Sequence, residues 1–339
     1  MGITKLEVKD FLLEVRNRPL LDVRSPGEYD RGHIPDAISF PLFTDEERAK
    51  VGTRYKQVDK ESAFILGLKM VGPKMADFVK MAIKIAPDRK IAVHCWRGGQ
   101  RSGSLGWLLQ QAGFEVVTLI GGYKAYRQHV LDSLSRTDIQ INVVGGKTGT
   151  GKTRILHALK DLGEQVLDLE GLANHKGSAF GFIGELPQPT PEQFENMLWN
   201  RLEFFDVRRR IWVENESRSI GRVYIPEGFW RQMKSSPLFH VEIPQKDRIS
   251  NLVSDYVLED TPDLKVAFGR IATKLGGLRF KQAIQALEEG EFSLAAELAL
   301  EYYDKTYQHC LETNISPQIR ILEFSHGDPY KIAQTLSQL

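Results

Sequence analysis

The stretch His94-Cys-Trp-Arg-Gly-Gly-Gln-Arg-Ser102, HCWRGGQRS, decides how the first half of the chain is read. KIAVHC (residues 90–95) before it reads as a buried strand that delivers Cys95 to its C-terminal edge, and a helix is expected from about Ser102 to Gln111. A thiol between a strand end and a helix N-terminus meets backbone N–H groups and the positive end of the helix dipole, which favour its anionic form. Arg97 and Arg101 add full charges, and Gly98 and Gly99 let the backbone wrap closely around a tetrahedral anion or a bound sulfur. With Trp96, Gln100 and Ser102 completing the loop, the expectation is a reactive thiolate at neutral pH. His94 is read as orienting backbone. Two chemistries fit: attack of cysteine on a phosphate ester, or carriage of a chalcogen atom by the same cysteine.

Working outward, PLLDVRS, PGEYDRG and ISFPLF precede the loop and EVVTLIGGYKAYRQHVLDSL follows it. Strand-like and helix-like pieces alternate, which implies an α/β sheet that is mostly parallel. His94 through Ser102 matches the His-Cys-five-residues-Arg-Ser/Thr signature of protein tyrosine phosphatases. LLDVRSPGEYDRGHIPDAISFPL, residues 20–42, resembles the N-terminal signature of the rhodanese fold, which hosts both sulfurtransferases and a phosphatase branch, so fold alone leaves the chemistry open. Asp22, Arg24, Glu28 and His33 within it are read as a salt-bridged scaffold opposite the cysteine rather than as an acid–base set.

Residues 135–140 (SRTDIQ) are short and polar and are taken as a linker between residues 1–134 and residues 141–339. The second segment opens on INVVGGKTGTGKTRILHALKDL, in which Gly146-Lys147-Thr148-Gly149-Thr150-Gly151-Lys152-Thr153 satisfies GxxxxGK[ST] between a strand and a helix. Its amides can cradle a di- or triphosphate, Lys152 can neutralise it, and Thr153 can present its hydroxyl to Mg2+. Such a loop reads phosphate geometry and little else, so the organic group stays open. QVLDLE, RIWVENES, LFHVEIP and IRILEFS are expected strands, and a helical block from about Pro262 to Leu311 is expected to be a packing subdomain. Asp168, Glu170, Glu214 and Glu216, at strand ends facing the P-loop, are candidates for metal coordination or proton transfer, with ordinary solvated strand ends as the other reading. Arg208, Arg209, Arg210, Arg218 and Arg222 lie among aromatic residues between Trp199 and Lys234, a composition that suits either bound RNA or a solvated basic face over core aromatics.

With 339 residues, two domains of ordinary core size are the default. The 42% apolar and 26% charged composition is that of a soluble globular protein, and the net charge of +1 confines any nucleic-acid affinity to a local patch. Only Cys95 and Cys310 occur, which excludes a disulfide framework and a CxxC zinc site and suits a reducing cytoplasm. Cys310, in a helical pattern, is read as structural. No signal-peptide core and no apolar run of about 20 residues is present, so a soluble intracellular protein with no membrane partner is expected.

Taken in order, CWRGGQRS, GGKTGTGKT, DLEGLANHKGSAFG and VENESRSIG resemble the tRNA 2-selenouridine synthase family over nearly the whole chain. The resemblance implies a rhodanese-like domain followed by a P-loop NTPase-like α/β domain with a helical insertion. It implies exchange of sulfur for selenium in wobble 2-thiouridine of tRNA, with selenophosphate as donor and a selenophosphate-producing enzyme as a conceivable partner. It also implies an S-geranyl intermediate made from geranyl diphosphate, which would give the P-loop a diphosphate to hold and Cys95 a role in selenium transfer. A rhodanese-like phosphatase fused to a P-loop kinase, and a noncatalytic RNA-binding module, are the competing readings.

Overall fold

A computed structural model describes residues 2–135, 139–257, 262–312 and 318–339, without the side chains of 306 and 308–312. The chain divides into two compact units, Met1–Ser133 and Leu134–Leu339. Residues 136–138 of the expected linker, and the side chain of Cys310, lie outside the described residues.

The first unit contains five strands: β1 (Thr4–Leu6), β2 (Leu20–Asp22), β3 (Ile38–Ser39), β4 (Lys90–His94) and β5 (Glu115–Leu119). Their order is β1-β5-β4-β2-β3 and every pairing is parallel. Leu21, Val23, Ile91, Val93 and Val116 pack with Leu105 and Leu109 of the helix Gln100–Gln111 and with Phe40 and Phe78 to form its core. Each such side chain contributes about 1.5–3 kcal/mol on burial. β1 escapes the sequence reading because it is a three-residue edge strand with two exposed side chains and no alternation to detect. The helix begins at Gln100, two residues before its expected start.

From β2 the chain moves outward to β3 and then returns to the other side of β2 for β4. Parallel sheets open a crevice outside the carboxyl ends of strands at such a reversal. Asp22 pairs in register with His94, so Val23-Arg24 and Cys95 emerge side by side at that reversal.

The second unit has β6 (Ile141–Gly145), β7 (Gln165–Leu167), β8 (Ile211–Glu214), β9 (Ser219–Ile220), β10 (Val223–Tyr224), β11 (Leu238–Glu242) and β12 (Ile319–Glu323). A parallel sheet ordered β12-β11-β6-β8-β7 puts the P-loop strand β6 at the centre, again at a reversal of strand order. β9 and β10 form a separate antiparallel hairpin that the sequence reading did not anticipate. The helices Lys152–Asp161 and Pro329–Ser337 cover one face through Ile155, Leu156, Leu159, Ile332 and Leu336 over Val144 and Trp212. Three helices, Pro262–Leu275, Gly277–Glu288 and Phe292–Glu312, make the helical block. It has its own core of Leu264, Phe268, Ile271, Leu287 and Ala299, which Phe180 and Ile183 enter from the loop after β7. No described helix is long and apolar enough to cross a membrane.

Candidate functional site

In the first unit Cys95 is 3% exposed at the end of β4, with its Sγ 3.2 Å from the Ser102 hydroxyl. Ser102 in turn donates to the Gly99 carbonyl at 3.3 Å, so the hydroxyl ties the thiol to the first turn of the helix. Gly98 has φ +65°, and a Cβ there would lie 2.4 Å from the Leu119 carbonyl oxygen, so only glycine fits. Gly122 is constrained more severely: its Cβ would meet the Cys95 carbonyl oxygen at 2.3 Å and the Gly98 nitrogen at 2.4 Å. The amides of Tyr123 and Lys124 donate to the carbonyls of Cys95 and Trp96 at 2.8 and 3.0 Å. The segment Gly121–Lys124 therefore clamps the cysteine loop from behind. Sequence reasoning missed this clamp, and the paired glycines between EVVTL and the next helix were its only signal.

Arg101 binds Glu28 across the crevice, Nη1 to Oε2 at 2.6 Å and Nη2 to Oε1 at 3.3 Å, while Arg97 is exposed on the loop. Burial opposes ionisation of Glu28, but its hydrogen bond and charge pairing with Arg101 outweigh this and hold its carboxyl below the usual range. Asp22 and Arg24 form a fully buried ion pair at 2.6 Å, and Arg24 also donates to the Gly32 carbonyl and lies over the Tyr123 ring. His94, fully buried 3.5 Å from Asp22, has its pKa pushed down to about 4, chiefly by burial, so it is neutral at physiological pH. His33 stacks on Tyr29 at 3.9 Å. Asp22, Arg24, Glu28 and His33 are thus engaged in the scaffold. An open cleft of ≈ 880 Å³ reaches Cys95, Trp96, Arg97 and Arg101, with Arg48 and Lys56 on its rim.

In the second unit the P-loop leaves β6 and enters the helix Lys152–Asp161 through Gly149 and Gly151, with φ of +83° and +80°. It is held from outside: Arg248 Nε donates to the Thr148 carbonyl at 2.8 Å, Asn251 to the Gly149 carbonyl at 2.9 Å, and Gly146 N–H to the Tyr307 hydroxyl at 3.1 Å. Arg248 is paired with Asp304 at 2.9 and 2.5 Å. Lys147 flanks this arch, and Thr150 closes it by donating from its hydroxyl to the Lys147 carbonyl at 2.6 Å. The helical block is therefore more than a packing subdomain, since Tyr307 and Asp304 reach the phosphate loop or its anchor.

The four carboxylates divide. Glu170, Glu214 and Glu216 converge at the head of the helix: Thr153 donates to Glu170 at 2.8 Å, and the Glu170 amide donates to Glu214 at 2.6 Å. A Cβ on Gly177 would strike both Glu216 and Glu170, which shows how closely the loop after β7 approaches them. Burial and then the charge of Glu170 raise the pKa of Glu214 well above the ordinary range, and the same two causes raise Glu216 to about 8 against the opposing pull of Lys152. Burial works against protonated Lys152, yet the charges of Glu216 and Glu170 keep its pKa above the ordinary lysine value. Asp168 stands apart as a helix N-cap, accepting from Gly171 at 2.7 Å and lying 3.1 Å from His157.

The arginines also divide. Arg208, Arg209 and Arg210 precede β8, at the end of the sheet opposite the P-loop, where they bind Asp206, the Gly163 carbonyl and Glu164. Arg218 and Arg222 lie past the carboxyl end of β8, in the hairpin region, with Arg218 on Glu227 at 2.8 Å and the Tyr224 ring exposed nearby in sequence. The sequence cluster is one patch only in the linear chain.

Residues 139–338 match the family model described as "tRNA 2-selenouridine synthase AAA domain", and residues 5–129 match "Rhodanese-like domain". A "tRNA 2-selenouridine synthase" of Sulfurovum sp. is 34% identical over 89% of this chain and 91% of its own length. Another, of Hydrogenovibrio crunogenus, is 36% identical over 88% of this chain and 90% of its own. Among solved structures, the N-terminal domain of a putative ATP/GTP binding protein from Clostridium difficile 630 is 39% identical, covering 38% of this chain and 99% of that chain at a TM-score of 0.36. With that AAA-domain model matched over residues 139–338 and these relatives at least 34% identical over most of both chains, the chain belongs to the tRNA 2-selenouridine synthase family.

Proposed function

We propose that this chain is a tRNA-modifying transferase that converts wobble 2-thiouridine to 2-selenouridine, with selenophosphate as selenium donor and geranyl diphosphate as alkyl donor. The observation that carries the reading is the pairing, within one chain of this family, of a buried cysteine in an arginine-flanked loop with a P-loop whose Lys152 faces a carboxylate cluster.

Sulfur at C2 of uridine is a poor leaving group. Attack of that sulfur on C1 of geranyl diphosphate forms a C–S bond and releases diphosphate, whose charge Lys152 and the amides from Gly146 to Thr153 neutralise. A selenium nucleophile then adds at C2 and the sulfur departs as geranyl thiol. Selenophosphate supplies that nucleophile through its selenium, and water then cleaves the P–Se bond and releases orthophosphate; Cys95 and the loop amides position the donor, Arg97 meets its charge, and Arg101, paired with Glu28, shapes the loop. Mg2+ fits the oxygen donors at the head of the helix, Thr153 and Glu170, because it needs only one or two protein ligands beside phosphate and water oxygens. The hairpin arginines Arg218 and Arg222 are the tRNA contacts on the P-loop side of the sheet.

Incubation with 2-thiouridine tRNA, geranyl diphosphate, Mg2+ and selenophosphate, each omitted in turn, tests this by mass spectrometry of the nucleosides. Selenouridine in the full mixture, and S-geranyl-2-thiouridine when selenophosphate is withheld, are expected; unchanged thiouridine throughout would overturn the reading.

A further inference from the structure

Beside the P-loop lies a pocket of ≈ 50 Å³ whose walls are almost wholly carbon. Thr148 of the P-loop forms one edge, Ser178 and Phe180 another, and Leu252, Phe268 and Ala299 line the interior. Both edges continue into the phosphate site. Thr148 belongs to the cradle itself, and Ser178 follows Gly177, where an added Cβ would strike the carboxylates of Glu216 and Glu170. The Ser178 hydroxyl oxygen accepts from the Phe180 amide at 3.1 Å and lies 3.5 Å from the Tyr256 hydroxyl. A nucleobase placed here would leave its donors and acceptors unpaired, at a cost of roughly 1–3 kcal/mol for each group.

We infer that this pocket receives the distal isoprene unit of the diphosphate's hydrocarbon chain and thereby selects chain length. The inference rests on the proposed use of a prenyl diphosphate. A water-sized group needs ~10–15 Å³ of such space, so the pocket holds roughly four, about the bulk of one five-carbon unit. The proximal unit then spans from the phosphate cradle to the mouth. Ala295, Ala296 and Ala299 line one wall from the helix Phe292–Glu312, and their small side chains leave the space open. Phe292, on the same helix, closes another part of the lining.

The test is a titration of the full chain with inorganic diphosphate, dimethylallyl diphosphate, geranyl diphosphate and the fifteen-carbon farnesyl diphosphate, all with Mg2+. Wild-type protein is expected to bind the ten-carbon compound at least about 10-fold more tightly than the five-carbon one, from the added buried carbons. Ala299→Phe is expected to abolish that difference and to leave inorganic diphosphate binding unchanged, which also shows that the variant is folded. Phe292→Ala, which enlarges the space, is expected to improve the fifteen-carbon compound relative to the ten-carbon one, and it decides the matter if Ala299→Phe does not fold. Unchanged chain-length ratios in the folded variants would overturn the pocket assignment while leaving diphosphate binding intact. Failure of wild-type protein to bind any of the four compounds would instead overturn the reading of the P-loop on which the assignment rests.

Discussion

Arg101 and Glu28 face each other across the cysteine crevice as a two-point ion pair, 2.6 and 3.3 Å long, with side chains 24% and 13% exposed. The pair ties the first turn of the helix after Cys95 to the helix after β2, so one of the two loop arginines is already committed to the scaffold. Arg97, exposed on the loop, is left to meet an incoming anion.

Glu28→Gln is expected to lower the stability of the first unit by about 1–3 kcal/mol, between the values for exposed and buried pairs. The folded pKa of Glu28 lies below its ordinary 4.5, so its stabilisation is fully present above that value and is lost as pH falls through the lower folded value. Urea unfolding of both proteins across pH 3–8 checks this. The curves should stay apart at neutral pH and merge in acid; a constant gap would contradict the assignment.

Two glycines near Cys95 predict opposite outcomes. Gly122→Ala, with φ +62° and a Cβ 2.3 Å from the Cys95 carbonyl oxygen, should cost about 3 kcal/mol or more and displace the cysteine loop. Gly103→Ala places its Cβ in open space within the helix Gln100–Gln111 and should stabilise by about 0.5–1 kcal/mol. Thermal unfolding of the pair, with the rate of Cys95 alkylation as a second readout, distinguishes the clamp from a general intolerance of the region.

Arg222→Ala should weaken tRNA binding several-fold and flatten its salt dependence, because one phosphate contact fewer releases one counterion fewer. Arg208→Ala, at the other end of the sheet, should leave affinity within about twofold. Filter binding between 50 and 200 mM salt measures both, and equal losses would return the five arginines to a single patch.

Much of this was legible because the decisive residues are local. HCWRGGQRS and GGKTGTGKT each carry strand, turn and helix start within a few residues, and the parallel α/β architecture followed from the alternation around them. What stayed hidden depends on distant packing. The Gly122 clamp joins the end of β5 to the end of β4, and Tyr307 reaches Gly146 from 161 residues away. Asp168 looked equivalent to Glu170 two residues on, until the short helix beginning between them made the first a cap and turned the second toward Thr153. The arginines from 208 to 222 lie close in sequence, but β8 carries them to opposite ends of the sheet.

The most direct test of the account compares Cys95→Ala with Lys152→Ala in the reconstituted reaction, reading the tRNA nucleosides by mass spectrometry. Cys95→Ala should make S-geranyl-2-thiouridine and stop there, whereas Lys152→Ala should fail to geranylate yet still selenate tRNA that was geranylated beforehand. Selenouridine formed at the wild-type rate by Cys95→Ala, or normal geranylation by Lys152→Ala, would contradict the division of chemistry between the two units.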